Sequence, residues 1–495
     1  MDSITIVNPA TGCQERRVRI TPPDELLKMF ENAKIAQKQW AAVPLKERKK
    51  ALRRLQRYLQ NNYQEFIDAV QRETGKVWAD AMLDPLSAVG ELSFWCGRSE
   101  KLLKQKLAPW PHWVLFNNEF TIRRKPLPVV GIISPWNLPL AIPAADFVPA
   151  LFAGSAVVWK PSEYTPLTAL KFKEVFDSLG CFPENLLQVA VGGGEAGRIV
   201  SENADVVLFT GSCKTGGAIE EICRERRVPY HLEMGGKAPF IVWPPANVER
   251  AANCFVWNAC ANAGHYCKAA ERGIVASSIN SDFIKRVLKK AAVLRPEIDY
   301  GPVITEFQLK IIEAQVADAV RKGAKILCGG KRLERNGRWF PPTVLIDVNY
   351  DMDVMTKETF GPLMPIMAVK TLNAAINAAN NSHLSLNAAI FCDDKMAVKT
   401  ILEGLEAGNP NVNTAMLNWM AISAPQCAAK WSTGPRCNVF RHGEASIDRT
   451  CESQTVVKHK FSLPLLKNRE LFWYPYTDLT KLTMRFFIHA FYPFF

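Results

Sequence analysis

The sequence predicts an α/β protein of two dissimilar α/β units interrupted by a short antiparallel excursion. Three patterns predict it. From about residue 130 onward, short apolar runs alternate with helix-like stretches, the signature of a parallel sheet with helices on its faces. A second βα-type region follows residue 267. The stretch WVLFNNEFTIRRKPLP (113–128) alternates differently and reads as antiparallel, and CESQTVVKHK (451–460) reads as a strand that joins it or a neighbouring subunit.

In LKERKKALRRLQRYL (45–59), Leu52, Leu55 and Leu59 fall on one face of a helix and the basic residues on the other. That is an amphipathic helix with a solvated basic side, and no nucleic-acid partner is expected. VVGIISPW (129–136), AGSAVVWKPS (153–162), NLLQVAV (185–191), ADVVLFTGS (204–212) and KAPFIVW (237–243) read as strands running into loops. TALKFKEVFDSLG and TGGAIEEICRERR read as helices between them. In such sheets ligands bind beyond the carboxyl ends of the strands, so chemistry is sought in the loops that follow them. The second region contains SDFIKRVLKKAAVL, LKIIEAQVADAVRKGAKILCGG and NAAINAANNSHLSLNAAIFC, with no low-complexity linker or internal repeat.

At 495 residues, with 48% hydrophobic and 22% charged, the chain has the composition of a soluble globular protein of two or three domains. The net charge is +13. Thirteen cysteines form no Cys-x-x-Cys pair and the seven histidines show no ligand spacing beside them, so reduced thiols in a cytoplasm are expected and a metal site is not. The C-terminal LFWYPYTDLTKLTMRFFIHAFYPFF (471–495) is dense in aromatic rings. Its uncharged end is too short for a spanning helix, which needs about 20 residues. It must pack on its own chain, on a neighbouring subunit, or against a membrane surface.

Several side chains are candidates for chemistry. Gly192, Gly194 and Gly197 in VGGGEAGR match Gly-x-Gly-x-x-Gly after a strand, and a tight strand-to-helix turn explains them equally well. In WKPSE, Lys160 and Glu163 could bond ribose hydroxyls, with the carboxylate repelling a 2′-phosphate; a solvated loop stopped by Pro161 is the alternative. Glu233 in LEMGGK, between Leu232 and Met234, is a candidate general base or a capped structural carboxylate. Asn137 in SPWN could donate to a developing oxyanion or serve a turn. Cys267 in NAGHYCKAAERG completes a set of thiol, carboxylate, amide and nucleotide-binding sheet. Together they suit attack of a thiolate on an aldehyde, hydride loss to a nicotinamide, and hydrolysis of the thioester by water that Glu233 activates.

SPWNLPL, VVWKPSEYTP, VLFTGS, LEMGGKAPFIV, NAGHYCKAAERGIV and KETFGP occur in the order of the NAD(P)-dependent aldehyde dehydrogenases, which the chain resembles over nearly its whole length. The resemblance implies an aldehyde dehydrogenase-like fold: a Rossmann-like cofactor domain (1–112 and 129–233), an α/β catalytic domain (234–448), oligomerisation strands (113–128 and 449–462) and an aromatic tail (463–495). It implies Cys267 as nucleophile, Glu233 as base and Asn137 as oxyanion donor. Lys160 and Glu163 would bind the adenosine ribose, and Trp136 would lie by the pocket. Ser212 of FTGS would approach the pyrophosphate, Phe209 of the same motif would be a cofactor-site residue, Gly192 and Gly197 would lie in the cofactor turn, and Glu358 and Phe360 at the nicotinamide riboside. The cofactor expected is NAD, which Glu163 favours, with NADP also admissible. The partners expected are an aldehyde, in an apolar aliphatic or aromatic class suggested by Trp136, Trp257, Tyr266 and the tail, and further copies of the chain in a dimer or tetramer. Peripheral membrane contact through the tail is a further expectation.

Two positions depart from the family. His265 stands where glutamine is common, to fill space or to lower the thiol pKa. APQCAAKWSTGPRCNVFRHG (424–443) keeps only Lys430, Ser432, Gly434 and its RHG ending from a segment that helps shape the family's substrate tunnel. A homologue with weakened turnover, acting as a binding or scaffold protein, is therefore the alternative to an active enzyme.

Overall fold

A computed structural model describes residues 3–108, 117–384, 386–426, 441–461, 473–474 and 476–491. The chain divides into a larger unit, Met1–Leu102 with Pro126–Cys451, and a smaller one, Leu103–Lys125 with Glu452–Phe495.

Strands β1 (Ser3–Val7) and β2 (Gln14–Arg19) form an antiparallel ribbon. Strands β3 (Lys106–Leu107) and β4 (Asn118–Pro126) pair antiparallel in the smaller unit. In the larger unit β5 (Val129–Ile133), β6 (Ala156–Lys160), β7 (Leu187–Val189), β8 (Val206–Gly211) and β9 (Tyr230–Met234) make a fully parallel sheet in the order β7-β6-β5-β8-β9. Every residue of β5 and β6 is buried, which is why these strands read as continuous apolar runs rather than alternations. The chain leaves β5 toward β6 on one side and returns to β8 on the other, so the ligand crevice is expected at the carboxyl ends of these two strands.

The second sheet contains β10 (Pro239–Val242), β11 (Arg272–Ala276), β12 (Lys325–Cys328), β13 (Thr343–Ile346), β14 (Leu363–Val369), β15 (Asn387–Phe391) and β16 (Asn409–Val412). Its order is β12-β13-β14-β11-β10-β15-β16, parallel except for the β12 edge. Strand β17 (Cys451–His459) lies beside β4 and completes a three-stranded sheet. There Arg123 donates to Gln454 and Arg124 to Ser453, so the two strands run in opposite directions.

The basic helix behaves as its periodicity requires. In Leu45–Asn61 the residues Ala51, Leu52, Leu55 and Leu59 are buried, while Arg53, Arg54 and Arg57 face solvent. The strand HLEM, not anticipated as regular structure, sets the geometry of the site: it ends the first sheet as β9, and residues 235–238 lead directly into β10 of the second. The carboxyl end of one sheet is thereby brought to the amino end of the other. Loops after β5, β6, β7 and β8 carry Asn137, Glu163, Gly192 and Ser212, as expected for a parallel sheet. Cys267 and Glu358 instead precede β11 and β14, so the rule that chemistry follows the strands holds for the first sheet only.

Candidate active site

The thiol loop is built on left-handed backbone. Asn262, Ala263 and Gly264 have φ of 52°, 52° and 76°. Left-handed geometry costs a residue with a side chain roughly 1–2 kcal/mol, so the turn must be held from outside. Asp80 accepts from the Asn262 backbone N–H at 2.9 Å, and the Asn262 amide donates to the carbonyls of Asn137 and His265 at 3.2 and 3.3 Å. Asn137 Nδ2 also donates to the His265 carbonyl at 2.8 Å, so it stands two residues from Cys267. A Cβ on Gly264 would lie 2.4 Å from the Gly361 backbone, which leaves no room for any other residue.

The paired glycines of LEMGGK each make room for one neighbour. A Cβ on Gly235 would lie 1.8 Å from Glu358 Oε1, and one on Gly236 would lie 3.2 Å from the Cys267 carbonyl. The Gly236 N–H donates to Glu358 at 3.2 Å. Burial, and then the charge of Glu271, push the Glu358 carboxyl up to about 8. Beside it a buried ion pair ties the elements together. Lys237 Nζ lies 2.7 Å from Glu271 and donates to Thr359 Oγ1 at 2.8 Å, while Glu271 accepts from the Thr359 and Phe360 backbones at 2.7 and 2.8 Å. Sequence reasoning missed this brace, although Lys237 ends LEMGGK and Glu271 lies within NAGHYCKAAERG.

Glu233 is 7% exposed, and its Oε1 has no hydrogen-bond partner among the described residues. Burial pushes the Cys267 thiol up; Lys268 draws it down, Glu233 raises it, and Arg441 and Glu358 lower and raise it by less. The thiol and this carboxylate therefore feel one another. Arg441 is held by Asp146 at 3.0 Å and Thr210 at 2.8 Å, and Asp146 also pairs with Arg449 at 2.9 Å. His265 is fully buried against Trp136 and Phe360, with ring centroids 5.0 and 5.8 Å away. Its pKa falls to about 3, through burial first and Lys76 second. A neutral ring of this kind fills space and supplies no charge to the thiol.

The other residues sit around the first sheet. Trp136 meets Phe360 edge-on at 5.4 Å. Lys160 is buried with Nζ 3.4 Å from Glu163, and burial lowers its pKa. Gly192 is tight against Ala196, whereas Gly193 and Gly194 face open space at the start of helix Gly194–Asn203, and Gly197 approaches Ile133. Ser212 caps helix Cys213–Arg226 by accepting from the Thr215 N–H at 3.3 Å. Phe209 is a buried side chain under Gly211 and Gly216. Open backbone at Gly193 and Gly194, a capped helix start, and a lysine–carboxylate pair at one sheet edge fit a dinucleotide: N–H groups for its phosphates and paired charges for its hydroxyls. Of the divergent segment, Lys430, Ser432 and Gly434 lie outside the described residues, while His442 of RHG meets Glu91 at 2.7 Å. Among the described residues no group of three or more His, Cys, Asp or Glu could hold a metal ion.

The model of the aldehyde dehydrogenase family matches residues 1–434. A Mycobacterium ulcerans (strain Agy99) protein with the provisional name succinate-semialdehyde dehydrogenase [NADP(+)] 2 is 33% identical over 465 residues, covering 91% of this chain and 88% of that one. Lactaldehyde dehydrogenase of Escherichia coli (strain K12) is 32% identical over 423 residues, covering 83% and 87%. A crystal structure of lactaldehyde dehydrogenase from Escherichia coli superposes with a TM-score of 0.86 at 28% identity, over 92% of this chain and 96% of that one. The chain belongs to the aldehyde dehydrogenase family and is an NAD(P)-dependent aldehyde dehydrogenase.

Proposed function

We propose that the chain oxidises an aldehyde to a carboxylic acid through a covalent intermediate on Cys267. The observation that carries this reading is the buried Glu233 carboxylate, with one oxygen unpartnered, inside the electrostatic reach of the Cys267 thiol. The thiolate sulfur adds to the carbonyl carbon, and the C=O electron pair moves to oxygen as a tetrahedral oxyanion. The Asn137 amide and the Cys267 N–H hold that oxygen. Lys160, Glu163, Ser212, Glu358 and the glycine turn would hold a nicotinamide dinucleotide, which would accept the hydride from the tetrahedral carbon as its C=O bond re-forms in the thioester. Glu233 then takes a proton from water, the hydroxide adds to the thioester carbon, and the C–S bond breaks to return the thiolate and release the acid. The base favours water over coenzyme A as acceptor, and Glu163 favours NAD over NADP.

An apolar aldehyde suits the surroundings of the thiol loop, because Tyr266, Ala269, Ala261 and Met416 form a buried apolar cluster against which Leu83 and Leu138 pack. NADH formation at 340 nm is followed with hexanal, benzaldehyde, lactaldehyde and succinic semialdehyde, each with NAD and with NADP. Cys267→Ala lowers turnover at least about a thousandfold, with hexanal or benzaldehyde the best substrate and NAD the better cofactor. Equal rates in both proteins would leave a scaffold, and a preference for succinic semialdehyde would end the apolar reading.

The domain partition proposed is residues 1–112 and 129–233 for the cofactor and 234–448 for catalysis. In the smaller unit β17 is an edge strand, which suits pairing with a second copy, and 449–462 with 113–128 are the proposed oligomerisation strands. Helix Asp478–Phe491 exposes Leu479, Leu482, Met484 and Phe486, which suits contact with a membrane surface. Among the described residues no helix is long and apolar enough to cross a membrane. Deletion of 463–495 is expected to abolish co-sedimentation with anionic vesicles and to leave the mass by light scattering at a dimer or tetramer. Unchanged sedimentation removes the membrane role, and a monomeric full-length chain removes the edge-strand role.

A further inference from the structure

Lys268 follows Cys267 and is 4% exposed. It is anchored at both ends. Its carbonyl accepts from Asn387 at 3.1 Å and Asn258 at 3.3 Å, and its Nζ donates to Asn418 Oδ1 at 3.1 Å. Asn418 is steadied in turn, donating to Asn387 Oδ1 at 3.3 Å and to the Asn409 carbonyl at 3.4 Å, and Asn411 donates to Asn387 Oδ1 at 2.9 Å. An asparagine ladder rooted on β15 and β16 thus holds the buried ammonium of the residue that follows Cys267.

The acceptor's chemistry is the informative part. Lys237, on the same sheet edge, has its charge met by the Glu271 carboxylate at 2.7 Å. The Lys268 acceptor is a neutral amide, which orients the ammonium without cancelling its charge. Among the described residues, Lys268, Glu233 of β9, Arg441 and Glu358 act electrostatically on the thiol. Arg441 already pairs with Asp146, and Glu358, raised to about 8, is neutral near pH 7. Glu233 opposes a thiolate. Lys268 itself feels Cys267, Glu233 and Arg441, and burial brings its pKa down to about 8, so its charge is present below that pH and lost above it.

We propose that Lys268 is a positioning residue for the nucleophile: its ammonium, clamped on Asn418, favours the thiolate form of Cys267 against burial and the Glu233 charge. The inference rests on Cys267 being the nucleophile. It is tested on the full-length chain by iodoacetamide labelling, with the Cys267 peptide quantified by mass spectrometry over a pH series from about 6.5 to about 11. Lys268→Gln is expected to slow labelling of Cys267 about tenfold near pH 7 and to move the labelling midpoint up by about one pH unit. Exposed Cys13 should label unchanged, and Lys268→Arg, which keeps a cation, should restore most of the rate. Should the glutamine variant not fold, Lys268→Met fills the same space with an apolar stem and carries the same expectation. A profile in either uncharged variant that superimposes on the wild type overturns the proposal. Loss of turnover in Cys267→Ala with that unchanged profile overturns this inference alone, whereas full turnover in Cys267→Ala overturns the nucleophile itself.

Discussion

The two sheet edges that meet across residues 235–238 are built on different principles. At the carboxyl edge of the first sheet, the pairs around the expected cofactor residues are close in sequence: Lys160 pairs with Glu163 three residues on, and Ser212 caps its own helix at Thr215. Glu163 remains 38% exposed there, and Gly193 and Gly194 face open space. At the amino edge of the second sheet, partners are far apart and enclosed. Lys237 and Glu271 are 0% and 5% exposed, Gly264 abuts Gly361, and Gly235 abuts Glu358. The first edge is shaped to admit a ligand and the second to hold a reactive group still. Removing one member of an enclosed pair typically costs about 3–5 kcal/mol, against about 0–1 kcal/mol for a pair in water.

That contrast is sharpened by two glycine replacements. Gly264→Ala meets a carbonyl and a backbone at 2.4 Å while holding φ of 76°, so it should cost about 3 kcal/mol or more and lower turnover with it. Thermal denaturation checks the first effect and steady-state rates the second; a variant as stable as the wild type would show that the enclosed edge yields. Gly194→Ala meets nothing within 4 Å and lies in the first turn of a helix. Its stability should stay equal or rise by about 0.5–1 kcal/mol, while the KM for NAD rises several-fold as the added methyl blocks a phosphate. An unchanged KM would reduce the glycine run to a turn.

Much of the fold was legible because parallel strands buried on both faces must be apolar throughout, as Val129–Ile133 and Ala156–Lys160 are. Tyr230–Met234 escaped notice because its first half, Tyr230 and His231, is polar and half-buried. Within the candidate site, Glu233, Asn137 and Cys267 stood in short readable motifs. Arg441 stood in the RHG ending, but its role went unread because its meaning comes from Asp146, 295 residues away. Lys268 was read as part of a motif and not as a charge, since a lysine is ordinarily solvated and its sequence shows neither burial nor the distant Asn418.

Local sequence, by itself, determined the strand and helix succession, the family, and the residue types able to do the chemistry, because periodicity and short motifs depend on near neighbours. Only the tertiary structure decided that the thiol belongs to an amino edge, that His265 is a neutral filler, and that Lys268 is buried with its ammonium on a neutral amide. Burial and electrostatic coupling depend on which distant segments exclude water, and chain order carries no direct record of that.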